Sequence, residues 1–362
     1  MALRLGSKLL ILLSVSACGG TLAPIPDAGT GPLDITDGGS ITEDAGPAAV
    51  DAGTSGTVAD AGASFDQRVA AATATATNNP LCTAVMPFYW EIGDVNGPFT
   101  SGSLKGSGSK TYAGDTTMAI ASASKWFYST YWVQRTHGVI SADDIKFFNF
   151  WSGYTDFTGC GNSTTVATCL DVVHNDGTTN GTFEPTTENK FAYGGGHMQK
   201  HAALNGLANM NSAQLAAEIL SQVGTEISFR YSTPQPAGGG DTSAFEYAKM
   251  LRKIISGQLT MKSVLGTHQV CTDKTTCPLA LSSPAPDGEQ WSYSIGHWVE
   301  TDPLVGDGAF SSAGAFGFYP WIDSTKTLYG ILARSAPGDQ AGGASAKCGR
   351  LIRKAWVTGA AQ

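Results

Sequence analysis

The sequence lacks a surplus of basic residues. Its 362 residues include 22 Lys and Arg against 30 Asp and Glu, for a formal net charge of −8. Seven of the acidic residues and two of the basic ones precede Phe65, so the rest of the chain is nearly neutral. Nucleic-acid-binding domains carry concentrated positive charge. We therefore expect no nucleic-acid partner.

Histidine is scarce as well, with six in the whole chain. None of them accompanies the cysteines at the spacing of zinc ligands. Zinc is the competing interpretation of the cysteines, and this spacing argues against it. We expect no metal site, and we predict no cofactor.

Aromatic residues are missing before Phe65, and residues 19–64 contain no Lys or Arg. The tripeptide Asp-Ala-Gly occurs there four times among Gly, Thr, Pro and Ser. Such a composition cannot bury enough apolar surface to offset the entropy of ordering the chain. Residues 18–65 are therefore predicted to be a disordered tether.

The N-terminus has the pattern of an export signal. Arg4 and Lys8 precede an apolar run that is too short for a membrane-spanning helix, so residues 1–17 are predicted to be a signal peptide. "VSAC" at 15–18 resembles a bacterial lipobox, which implies lipidation of Cys18. The alternative is an ordinary signal peptide in which Cys18 has no role. We expect an exported lipoprotein that is anchored to a membrane of the cell envelope, in the periplasm or at the outer-membrane surface.

Six cysteines remain once Cys18 is set aside. An even number in an oxidising compartment predicts three disulfides. Closeness in sequence favours Cys160–Cys169 and Cys271–Cys277, which leaves Cys82 with Cys348. About fifteen connectivities are formally possible for six cysteines, and this is one of them.

The remaining chain, residues 66–362, is predicted to be one domain of mixed α+β type. A first strand is expected at 84–93, followed by a Gly/Ser-rich turn. Helical periodicity or aromatic spacing predicts helices at 124–140, 212–224, 243–257 and 346–357. Aromatic and β-branched runs predict three neighbouring strands at 291–300, 308–323 and 325–335.

The pattern Ser-x-x-Lys occurs twice, as Ser107–Lys110 and Ser122–Lys125. A serine hydroxyl needs a base to become a nucleophile, and a buried lysine loses its charge readily enough to act as one. On a helix the two side chains would be neighbours. Glycines around the first pair disfavour a helix, so Ser122 and Lys125 are the candidate pair.

The sequence beginning at Ser122 resembles the serine β-lactamase/penicillin-binding-protein-like family, especially class C β-lactamases and their esterase relatives. Six short stretches carry the resemblance in the family's order, and together they place it over roughly 80–357. The resemblance implies a β-lactamase/transpeptidase-like α+β fold, with an antiparallel sheet flanked by helices and an all-helical insertion. The stretches are "ASASKW" (121–126), "HGVISADDI" (137–145), "CLDVVHNDGT" (169–178), "FAYGGGHMQ" (191–199), "PAGGGDTSAFEYAKML" (236–251) and "FSSAGAFGFYPWID" (310–323).

The resemblance also implies roles for individual residues. Ser122 would be the acylated nucleophile, and Lys125 and Tyr193 would share the general-base and general-acid work. Lys125 would help keep the Tyr193 phenol ionisable. The backbone N–H groups of Ser122 and Ala315 would form the oxyanion hole. The remaining matched positions, expected to bind substrate, are Gly195, Ser312, Ala313 and Gly314.

Three of these positions depart from the family pattern. Gly195 stands where the family has an asparagine, and Ser312 and Ala313 stand where it has lysine or histidine and then threonine. The departures remove the anchor for an anionic substrate, although Arg230 or Lys326 could supply a cation.

We therefore expect a serine hydrolase of esterase or amidase type that acts on a small-molecule or peptide-like acyl substrate. One alternative is a β-lactamase or D-Ala-D-Ala carboxypeptidase. The other is a non-catalytic binding lipoprotein with the same fold.

Overall fold

The structure, a computed structural model, describes residues 62–338 and 340–362. The expected signal peptide, the lipidation site at Cys18 and nearly all of the tether lie outside this range. The helices are α1 Phe65–Asn78, α2 Pro80–Thr83, α3 Ser124–Arg135, α4 Ala142–Phe148, α5 Val166–Leu170, α6 Gly196–Ala202, α7 Ser212–Val223, α8 Ala244–Ile255, α9 Met261–Val264 and α10 Ala341–Thr358. The strands are β1 Phe88–Asp94, β2 Gly97–Leu104, β3 Met118–Ala119, β4 Phe191–Ala192, β5 Phe229–Tyr231, β6 Gly240–Thr242, β7 Val270–Cys271, β8 Ala280–Ser282, β9 Ser292–Ser294, β10 His297–Val299, β11 Phe310–Ser311, β12 Tyr319–Ile322 and β13 Tyr329–Ala333.

An antiparallel sheet of eight strands organises the domain, in the order β2-β1-β13-β12-β11-β10-β9-β7. The first strand pairs with the last, with Tyr89 opposite Ala333. Helices α8 and α10 both contact β13, and most helices lie between β2 and β7 in the chain. This arrangement confirms the expected α+β fold with an antiparallel sheet and helices inserted between its first and last strands.

The expectation that a strand comes first is wrong, because α1 and α2 precede β1. Helix α1 is rich in Ala and Thr and carries only a weak apolar stripe, so its sequence signal is poor. It begins with a capping box between Ser64 and Gln67. Arg68 donates to the carbonyls of Trp356 and Val357 at the end of α10. Packing on α10 therefore stabilises a helix that sequence periodicity does not reveal.

Glycine-containing turns divide two of the three predicted C-terminal strands. The segment 291–300 forms the hairpin β9–β10, which reverses at Ile295 and Gly296, both with positive φ. The segment 308–323 forms β11 and β12, and the turn between them includes Gly314 and Gly317. The Gly/Ser-rich stretch after β1, expected to be a turn, forms β2. The helices predicted at 212–224, 243–257 and 346–357 are confirmed as α7, α8 and α10, the last beginning earlier, at Ala341.

Three disulfides join the cysteines of the domain: Cys82–Cys348, Cys160–Cys169 and Cys271–Cys277. The first links α2 to α10 across a sequence separation of 266 residues. Within the described ranges, no helix is both long enough and apolar enough to cross a membrane.

Candidate active site

Ser122 lies in a single 3₁₀ turn, Ala121–Ala123, directly before α3. The residue before it, Ala121, has φ 45°, a left-handed conformation that is uncommon for residues with a side chain. Two hydrogen bonds hold the turn in place: the Ile120 N–H donates to the Gly240 carbonyl at 2.9 Å, and the Ser124 hydroxyl donates to the Ala121 carbonyl at 2.6 Å. Strain that the surroundings enforce is typical of functional sites.

Lys125 occupies the first turn of α3, one helical step beyond Ser122. Its Nζ lies 2.9 Å from the Ser122 Oγ and 2.8 Å from the Ala237 carbonyl oxygen. The residue is 4% exposed, and this burial lowers the pKa of Lys125 to about 7. Near neutral pH a large fraction of the side chain is therefore an uncharged amine with a free lone pair.

The other Ser-x-x-Lys pair has no such geometry. Residues 107–110 lie outside every helix, and the Nζ of Lys110 donates to the Ser335 carbonyl at 2.8 Å. The helical context therefore separates the candidate pair from its look-alike, as the sequence predicts.

Tyr193 follows β4 and is half-buried beside Lys125. The Lys125 Nζ lies 4.8 Å from the centre of the Tyr193 ring, and that ring stacks on Trp298 with centroids 5.2 Å apart. Burial raises the pKa of the Tyr193 phenol to about 12, although Ser122 and Trp298 oppose the rise. The phenol is therefore protonated at neutral pH, whereas the resemblance implied that Lys125 keeps it ionisable.

The turn after β11 comes unusually close to the nucleophile. A Cβ on Gly314 would overlap the Ile120 carbonyl oxygen, and a Cβ on Gly342 would lie 2.7 Å from the Gly314 oxygen. Glycine is therefore needed at both positions for this approach. Ala315 follows, and its N–H has no hydrogen-bond acceptor among the residues that the structure describes.

A cavity of about 200 Å³ opens beside Ser122. It brings together five residues predicted from sequence: Ser122, Tyr193, Ala313, Gly314 and Ala315. The other residues in its wall are Pro284, Pro286, Trp291, Trp298, Gly342 and Gly343. The residues that carry a nucleophile, a protonated phenol and an unbonded backbone N–H therefore line the same small space.

Solved structures resemble this chain in fold. One is a protein from Bacteroides dorei DSM 17855 described as a β-lactamase, with a TM-score of 0.55 and 18% identity over 74% of this chain and 93% of that chain. Another is the D-amino acid amidase from Ochrobactrum anthropi SV3, with a TM-score of 0.50 and 11% identity over 74% of this chain and 95% of that one. The chain has the β-lactamase/penicillin-binding-protein-like fold. No protein-family model and no curated protein matches the sequence.

Within this β-lactamase-like fold, two predicted substrate-binding positions lie outside the cavity wall. A Cβ on Gly195 would lie 2.7 Å from two ring carbons of Phe157, so that ring fills the space of the missing asparagine. Ser312 donates its hydroxyl to the Ser122 carbonyl at 3.2 Å. At Gly195 and at Ser312, the residue that departs from the family pattern is therefore in close contact with its neighbours.

Arg230 and Lys326, the two cations that could replace the missing anchor for an anionic substrate, already have partners. Arg230 is paired with Asp241 at 3.2 Å, and its side chain is 74% exposed. Lys326 donates to the carbonyls of Lys262 and Leu265. Neither Arg230 nor Lys326 lines the cavity of the β-lactamase-like site.

Four residues of the site were not predicted from the sequence. Ala237 lies in the "PAGGGD" stretch, whose resemblance to the family gave no hint that its carbonyl contacts Lys125. Trp291 and Trp298 were predicted only to lie in a strand. Phe157 lies in the irregular segment just before the disulfide Cys160–Cys169, and no local pattern marks it.

A larger groove, of about 590 Å³, is lined partly by α10 and does not include Ser122. Its two arginines are already paired: Arg350 with Glu289, and Arg353 with Glu300 and Asp307. These ion pairs connect α10 to the segment that precedes β11. The groove's arginines therefore serve the packing of the β-lactamase-like fold.

Proposed function

We propose that the protein is a serine hydrolase that cleaves an ester or an amide through an acyl-Ser122 intermediate. The observation that carries this proposal is the contact of 2.9 Å between the Lys125 Nζ and the Ser122 Oγ. It joins a nucleophile to a base whose pKa of about 7 suits proton transfer at neutral pH. The β-lactamase-like fold supports the same kind of chemistry.

In the first half of the reaction, neutral Lys125 takes the proton from Ser122 as the Oγ attacks the substrate carbonyl. The N–H groups of Ser122 and Ala315 stabilise the oxyanion that develops. Tyr193, protonated, donates its proton to the leaving group, and Lys125 then returns a proton to the phenolate. The Ala237 carbonyl accepts one amine hydrogen, which holds the amine next to Ser122 and leaves its lone pair free to take the serine proton.

In the second half, water attacks the acyl group and gives up a proton to the same pair of residues. The Ser122 oxygen recovers its proton as the acid product leaves. The net reaction consumes one water and returns Lys125 and Tyr193 to their starting protonation states.

The two alternatives predicted from sequence have less support. A β-lactamase or D-Ala-D-Ala carboxypeptidase would need an anchor for a substrate carboxylate, and the described cavity wall has no cationic side chain. A non-catalytic binding lipoprotein would have no need for a buried lysine in contact with a serine hydroxyl.

Labelling with a fluorophosphonate probe tests the proposal against both alternatives. We expect stoichiometric labelling of the intact protein, with the added mass on the peptide that contains Ser122. Prior incubation with a penicillin should not reduce the labelling. A protein that never labels would contradict the hydrolase, and labelling that the penicillin blocks would favour the lactam-binding alternative.

Replacing Tyr193 with phenylalanine is expected to lower kcat by about 100-fold or more, because the leaving group then departs without a general acid. KM should change little, since the ring and its stacking on Trp298 are retained. Esters with a nitrophenolate leaving group need less protonation, so their loss should be smaller than that of alkyl esters or amides. An equal, small effect on all of these substrates would contradict the proton-donor role.

We also propose that the protein is exported and held at a membrane of the cell envelope by lipid on Cys18. The N-terminal sequence pattern is the main support. The three disulfides of the domain add to it, because disulfides form and persist in oxidising compartments.

A further inference from the structure

We propose that the cavity beside Ser122 takes a small, uncharged acyl group, of aryl or short alkyl type, and excludes acyl groups that carry a carboxylate. This inference rests on the proposed acyl-Ser122 mechanism and adds the substrate class. It depends on the walls of the cavity, on the positions of the nearby cations and on the size of the space.

The cavity wall is uncharged at neutral pH. Tyr193 is its sole ionisable side chain among the described residues, and burial keeps the phenol protonated. The rings of Trp291 and Trp298 are each 2% exposed and meet edge to face with centroids 5.7 Å apart. The two rings therefore form a rigid, uncharged and aromatic part of the wall.

No described cationic side chain lines this cavity. The Lys125 Nζ is already hydrogen-bonded to the Ser122 hydroxyl and to the Ala237 carbonyl, and it acts as the base. Arg230 and Lys326 have partners elsewhere. A carboxylate would therefore lose its hydration without gaining an ionic partner, which strongly disfavours its entry.

The size of the space narrows the choice further. The cavity holds about 200 Å³, less than the roughly 300–1,000 Å³ of sites for drug-sized ligands. The small volume therefore favours a compact acyl group, such as benzoyl or butyryl, over a long chain.

Gly343 provides a position at which the charge of the wall can be changed. It lies in the first turn of α10, and a Cβ there would come no closer than 3.7 Å to its nearest neighbour, the Pro286 ring. A Cβ there would therefore be in ordinary van der Waals contact, so the position tolerates the start of a side chain. Gly343→Lys adds a cation at the edge of the cavity, and Gly343→Met is the uncharged control of similar length.

The experiment compares two 4-nitrophenyl esters that share leaving group, ring and size. One is the ester of 4-carbamoylbenzoic acid, which is neutral, and the other is the monoester of terephthalic acid, which carries a carboxylate. We expect the wild type to give a kcat/KM about 100-fold higher for the neutral ester, since the anion must be buried without a partner. Gly343→Lys should lower this ratio by about tenfold relative to Gly343→Met.

A wild type that hydrolyses the terephthalate ester as well as the neutral one would overturn the inference. So would a ratio that is the same in Gly343→Lys and Gly343→Met, or fluorophosphonate labelling without hydrolysis of either ester. These outcomes leave the acyl-Ser122 mechanism intact. Failure of that mechanism is seen separately, as the absence of both labelling and turnover.

Discussion

The substitution Ser122→Ala is expected to abolish fluorophosphonate labelling and to lower kcat by about 10⁵-fold, because no other group can form the acyl intermediate. The backbone of the 3₁₀ turn should be unaffected, since the side chain removed is small. The oxyanion donors and the cavity are retained, so substrate binding should change little. Labelling and initial rates on a neutral 4-nitrophenyl ester provide the measurement.

Ser107→Ala is the matched control for this experiment. It removes a hydroxyl from the other Ser-x-x-Lys pair, which lies outside every helix. Its labelling and rate should equal those of the wild type. If Ser122→Ala still labels, or if Ser107→Ala does not, the assignment of the nucleophile is wrong.

The substitution Lys125→Met is expected to lower kcat/KM by about 10³-fold, because the serine then loses its general base. For the wild type, kcat/KM should rise with pH and reach half its plateau near pH 7, since Lys125 acts in its deprotonated form and its pKa is about 7. The variant should lose this rise along with most of its rate. A pH series of kcat/KM on both proteins provides the measurement.

Lys110→Met serves as the control, because Lys110 contacts the Ser335 carbonyl rather than a serine hydroxyl. It should keep both the rate and the pH profile of the wild type. A wild-type profile that is flat between about pH 5 and pH 9 would contradict a base with a lowered pKa.

The parts of the fold that the sequence predicted are those with strong local signals. Helices α7 and α8 have apolar faces and side-chain caps at Asn211 and Ser243, so their periodicity is plain. Helix α1 has a weak apolar face, and its stability depends on contacts with residues nearly 300 positions later. The hairpin at Ile295 and Gly296 was missed because aromatic and β-branched residues occur on both sides of the turn and conceal it.

The candidate site also has parts that local sequence signals predict and parts that they do not. Ser122, Lys125 and Tyr193 belong to short motifs, and the structure places them together. The closure of the Gly195 position by Phe157 depends on a loop 38 residues earlier, and the contact between Ala237 and Lys125 spans 112 residues. No local pattern in one sequence encodes such distances, so the sequence predicted the candidate catalytic residues better than the shape of the space around them.

The burial of Lys125 favours catalysis but lowers the stability of the folded protein. A lysine in the unfolded chain has a pKa of about 10.4, whereas in the folded protein its pKa is about 7. Below that pH the folded state must hold a charged ammonium away from water, and the penalty is relieved as the pH rises toward about 10. Lys125, which activates the nucleophile, therefore makes the protein less stable at neutral pH than an apolar side chain would. Such a trade-off between activity and stability is common in active sites.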